Sequence, residues 1–167
     1  MVTMDIQTFT EISYARAAGF FDGEGSVMIA HKGKSYYLRL SISQVTEHED
    51  ALRDFQVLFG GSVGNKGIPL KERHRRRPMS VWTLEGERAK QALICMYPYL
   101  RVKKSVAFLG IFFQKWKVEK RASRIGKDLT PEEIEVGNAM KSFISRLNRG
   151  NCPQGVAPYA MEALAEA

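Results

Sequence analysis

Residues 14–26 read Tyr14-Ala15-Arg16-Ala17-Ala18-Gly19-Phe20-Phe21-Asp22-Gly23-Glu24-Gly25-Ser26. The first half is small and apolar at helical spacing. Ala15, Ala18 and Gly19 have almost no side chain to keep a second helix backbone away, and Phe20 and Phe21 stand beside them. The second half sets two carboxylates, Asp22 and Glu24, among glycines just ahead of a β-rich run. The apolar period predicts a helix over about 9–21, so Glu24 falls at its exit, on backbone that glycine allows easily. A carboxylate there is placed to hold a divalent cation.

Working outward, 26–32 reads as a strand, 33–35 as a hairpin turn, and 36–43 as a second strand. That second strand alternates: Tyr36, Leu38, Leu40 and Ile42 on one side, Tyr37, Arg39, Ser41 and Ser43 on the other. Such alternation means one buried face and one wet face. A helix over about 47–59 ends at Gly60-Gly61, and 62–66 with 79–84 form a second hairpin. Between them lies Lys71-Glu72-Arg73-His74-Arg75-Arg76-Arg77, five positive charges against one negative. Helices over about 87–96 and 102–120 follow. Thr130-Pro131-Glu132-Glu133 then opens a last helix with a capping box and proline at its first position. The order is α-β-β-α-β-β-α, an α+β chain. Residues 1–149 are expected to form one domain and 150–167 a C-terminal tail.

The 167 residues suit a single core. A formal charge of +7 and a pI near 9.5 point to a polyanionic partner. Cys95 and Cys152 lie far apart without metal-ligand spacing and read as reduced thiols of an intracellular protein. No apolar run is long enough for a bilayer, so no membrane partner is expected.

The run Ala17 to Gly25 resembles the LAGLIDADG motif of homing endonucleases, with Ala17 where the family has Leu and the ending Glu24-Gly25. Ile42-Ser43-Gln44 resembles the strand end where many members keep a water-positioning Gln. Tyr97-Pro98-Tyr99-Leu100-Arg101-Val102-Lys103 resembles their P-x-L-x-x-K segment. The resemblance covers roughly 12–118. It implies a saddle-shaped four-stranded antiparallel sheet with helices on one face and double-stranded DNA on the other, and hydrolysis of both strands of a long, near-palindromic target.

By that resemblance Glu24 is a Mg²⁺ ligand, joined by the carbonyl of Gly23, with Mn²⁺ as an expected substitute and Ca²⁺ expected to bind without supporting cleavage. Gln44 orients the attacking water and Lys103 stabilises charge. His48 occupies the place of another basic residue, and Glu47 and Glu49 make its surroundings acidic. Asp22 reads as a group that hydrogen-bonds at the helix end rather than as a metal ligand. One motif supplies one carboxylate per chain, and cutting two strands needs two. The resemblance therefore implies a homodimer joined through Ala15, Ala18, Gly19 and Asp22, encoded in an intron of an organelle or a prokaryote.

Alternation assigns Met28, Ala30, Lys32, Tyr37, Arg39, Ser41, Gly64, Lys66, Arg77, Met79, Val81 and Thr83 to the DNA face. Arg75 and its basic neighbours, with the Lys and Arg of 115–121, are expected on phosphates. A catalytically silent RNA maturase or DNA-binding regulator on the same fold is the alternative.

Overall fold

The computed structural model describes residues 6–66, 77–122 and 127–150. Helix α1 (Ile6–Glu24) leads directly into strand β1 (Gly25–Lys32). Strand β2 (Ser35–Val45) returns beside it through a two-residue turn, with Gly33 at φ 56° in the glycine-led position. A 3-10 turn (Thr46–His48) opens helix α2 (Glu49–Phe59). Strands β3 (Ser62–Lys66) and β4 (Met79–Glu85) form the second hairpin, followed by α3 (Gly86–Met96), α4 (Lys104–Arg121) and α5 (Pro131–Asn148). The predicted capping box stands: Thr130 Oγ1 accepts from Glu133 N, and Glu133 accepts from Thr130 N. Arg75 and most of the expected tail lie outside the described residues. Among the described residues, no helix is long and apolar enough to cross a membrane.

The sheet is antiparallel throughout, in the order β1-β2-β4-β3. Its closed face carries Val27, Ile29, Tyr36, Leu38, Leu40, Ile42, Trp82 and Leu84, all buried beneath the helices. Helices α3 and α4 lie over β2, α2 over β4, and α5 runs along β1. Trp82 anchors the layer: its indole N–H donates to the Gly60 carbonyl at 2.8 Å, and its ring packs 5.2 Å from that of Phe55. Helix α5 is fastened to the sheet by Asn148, whose amide donates to the Val27 carbonyl of the edge strand β1 at 2.8 Å, and by Asn138, which accepts from the Tyr36 hydroxyl of β2 at 2.8 Å.

Two expectations change here. Helix α1 runs three residues further than its apolar period suggests, and neither Gly23 nor Gly25 has a positive φ. The glycines of the motif are therefore not there for backbone freedom. Gly25 is buried with the Phe21 ring laid against its Cα, and an added Cβ would fall 2.5 Å from Phe21 Cγ. Gly25→Ala is expected to displace Phe21 and destabilise the protein by about 1–3 kcal/mol, measured by denaturant unfolding. The other change concerns Lys120 and Arg121, expected on phosphates. Lys120 pairs with Glu132 at 3.2 Å and Arg121 with Glu133 at 3.5 Å, so their charges bind α5 to α4. Burial, with Arg121 beside it, lowers the Lys117 pKa.

Candidate active site and nucleic-acid interface

The two carboxylates of the motif do different work. Asp22 is turned into its own chain: one carboxylate oxygen accepts from Arg101 N at 2.7 Å and the other from Lys103 N at 2.8 Å. These amides lie just ahead of α4, where helix N–H groups lack partners, and a carboxylate satisfies them with a charge-assisted bond. Glu24, two residues on, is exposed and has no hydrogen-bonding or ionic partner among the described residues. It is free to engage something from outside the chain.

Lys103 and Gln44 converge on the same end of α1. The Lys103 ammonium donates to the Asp22 carbonyl, which holds it beside the helix end that carries Glu24. In the sheet Gly25 pairs with Ile42, so Gln44 lies two residues beyond that rung, next to the same helix end. Gln44 keeps the parity of Leu40 and Ile42, and its cross-strand partner is Ser80. His48 is exposed at the close of the 3-10 turn. The acidity expected around it is half neutralised. Glu49 faces Ser80 and Arg53, whose contacts hold its carboxyl below the usual range, and Glu47 alone stays exposed.

Among the described residues no three His, Cys, Asp or Glu side chains cluster as metal ligands. One chain thus offers Glu24 and the carbonyls of the last turn of α1, Gly23 among them. This small set of hard oxygens suits a cation that retains water and takes further oxygens from a phosphate.

The open face of the sheet carries the residues that alternation assigned to it. Met28 stands opposite Arg39, Ala30 opposite Tyr37, Ser41 opposite Thr83, Gly64 opposite Val81, and Lys66 opposite Met79. Lys32 lies at its rim, and Arg77 is exposed just before β4. The register confirms Ser43 on the wet side of β2 and adds Ser26, Ser62 and Glu85, which the same parity would have found. Ser62 and Thr83 hydroxyls bond at 3.0 Å, and Arg39 Nε lies 3.5 Å from a Glu85 oxygen without forming a hydrogen bond.

The expected dimer face needs correction. Ala18 is wholly buried against its own core, and both carboxylate oxygens of Asp22 are taken by its own chain. The outward stripe of α1 is instead Ile12, Arg16, Gly19 and Gly23, with Ala15 half-buried beside it. A Cβ added at Gly19 or Gly23 would meet nothing within 4 Å. Between this stripe and α2 runs a groove of about 650 Å³, walled on the α2 side by Ala51, Asp54, Val57 and Leu58. These α2 residues were not among those expected.

No curated protein sequence matches the chain. Among solved structures, the homing endonuclease I-CvuI in complex with its target in the presence of calcium matches with a TM-score of 0.67 at 20% identity, covering 95% of this chain and 96% of that one. The homing endonuclease I-TnaI matches with a TM-score of 0.57 at 14% identity, covering 92% and 95%. I-SmaMI bound to uncleaved DNA in the presence of calcium ions matches with a TM-score of 0.58 at 16% identity, and this chain spans 49% of its length. At these identities the likeness establishes the fold. The LAGLIDADG endonuclease family profile matches residues 17–117, and the chain belongs to that family.

Proposed function

We propose that the protein is a divalent-metal-dependent, site-specific double-strand DNA endonuclease that acts as a homodimer on a near-palindromic target. The observation that carries this reading is the convergence of an uncommitted Glu24, Lys103 and Gln44 at one end of α1, at the border of a polar sheet face. Glu24 and the Gly23 carbonyl would hold Mg²⁺, and a metal there would neutralise phosphate charge and acidify a bound water. Lys103 contributes a fixed positive charge beside the phosphate. Gln44, with one amide acceptor and two donors, orients the water.

Two features favour the homodimer. The α1 stripe around Gly19 and Gly23 has open space above it, and the groove beside it places Arg16 and Asp54 on opposite walls. A two-fold pair across this stripe would use each of these charges twice, which is the reciprocity such an interface requires. Pairing also brings two Glu24 carboxylates to one DNA, one for each strand.

Readout falls to the open face. Arg39 has the donor fork that fits guanine O6 and N7, and Glu85 stands opposite it on β4. Arg39→Ala is expected to relax base preference at one symmetric pair of target positions by about 1–3 kcal/mol, read from cleavage of a randomised library. The function itself is tested by incubating purified protein with such a library in Mg²⁺ and in Ca²⁺. Cuts in Mg²⁺ at one near-palindromic sequence are expected. Specific binding in both metals with no cutting would instead favour the silent binding protein, and RNA would then be the next ligand tried.

A further inference from the structure

One polar cluster, gathered around a buried hydroxyl, has no part in the chemistry above. Ser80 is wholly buried, and its hydroxyl oxygen lies 2.5 Å from Glu49 Oε2, 3.0 Å from the Asn65 side-chain amide and 3.2 Å from Thr46 Oγ1. A hydroxyl has one proton to give. The carboxylate takes it, in the shortest and charge-assisted contact. The Thr46 hydroxyl then donates to Ser80, and the Asn65 amide turns its NH2 toward it, an orientation assigned from the network. The other Glu49 oxygen accepts from Arg53 Nε and Nη2 at 3.0 and 2.6 Å. Thr46 N donates to the Pro78 carbonyl at 2.9 Å.

The partners come from separate parts of the fold. Asn65 is near the end of β3 and Ser80 near the start of β4, next to Lys66 and Met79 of the open face. Thr46 and Glu49 bracket the corner between β2 and α2, with His48 between them. Gln44 is the cross-strand partner of Ser80, so their Cβ atoms stand about 5 Å apart on one face. A network that joins three elements through one buried hydroxyl restrains them relative to one another. Packing alone does not call for it, since an apolar residue could fill the place of Ser80.

We propose that Ser80, Glu49 and Asn65 are positioning residues, forming a polar joint that fixes the Gln44–His48 corner to the β3–β4 hairpin. Docking of that hairpin on DNA then sets the aim of Gln44. The inference rests on the endonuclease reading and names the residues through which binding reaches chemistry.

The test compares wild type with Ser80→Ala and with Asn65→Ala, the second at an exposed position where folding is not at stake. Three quantities are measured: the affinity for target DNA in Ca²⁺, the single-turnover cleavage rate of bound DNA in Mg²⁺, and amide exchange at residues 45–49 in the free protein. Both variants are expected to keep affinity within about threefold, to cut about 10–100-fold more slowly, and to exchange faster at the corner. Unchanged exchange, or a loss of rate matched by an equal loss of affinity, would overturn the joint. If wild type bound its target without cutting, the nuclease reading and the positioning role would fall together. The exchange measurement would then still decide whether the corner is clamped.

Discussion

Glu24→Gln should abolish cleavage while leaving DNA affinity within a few-fold of wild type. Glu24 has no hydrogen bond or ion pair among the described residues, so replacing its carboxylate by an isosteric amide removes no such bond there. The amide lacks the charge that a divalent cation needs at a site with one protein carboxylate. Removing a single group aimed at transition-state charge costs about 10²–10³ in rate, and in the proposed dimer each strand has its own copy of the site. Single-turnover cleavage in Mg²⁺, with binding measured in Ca²⁺, separates the two effects. A Glu24→Gln protein that cuts at the wild-type rate would remove Glu24 from the chemistry.

Gly19→Leu should convert the proposed dimer to a monomer and, on the proposed function, stop double-strand cutting. The position is exposed, and an added Cβ meets nothing within 4 Å in the chain, so the monomer accommodates the side chain. In a two-fold interface the same substitution is met twice. At about 1–3 kcal/mol for each overpacked copy, it weakens association by about 2–6 kcal/mol, or from some thirtyfold to about 10⁴-fold. Sedimentation or light scattering across a concentration series measures this, and unchanged thermal unfolding of the monomer controls for folding. Gly19→Leu protein that remains dimeric would place the interface elsewhere.

The parts that could be read from the sequence are those with a local period. Tyr36 to Ile42 alternate because one side of β2 is buried and the other is open, and the period of two specifies which side each residue takes. The capping box was legible for the same reason, since its bonds span three residues. The facing of α1 was not. Ala15, Ala17, Ala18 and Gly19 are small on every side of the helix, so the sequence has no direction to offer, and Ala18 was assigned outward although it faces the core. Lys120 and Arg121 looked like free cations because Glu132 and Glu133, which pair with them, lie in the next helix. The Ser80 joint was illegible because its contacts cross 15, 31 and 34 residues of chain.

The division of labour between Asp22 and Glu24 bears on how such a protein changes over generations. Asp22 ties α1 to the amides that precede α4, so its loss would leave polar backbone unpaired and weaken the scaffold. Glu24 carries no such burden. A lineage released from selection for cutting should therefore lose Glu24 early, while Asp22 and Gly25 persist for as long as the scaffold has any use. A descendant with Asp22-Gly23 intact and the second acid replaced would be a sound DNA-binding fold with its blade removed, one substitution away from its ancestor.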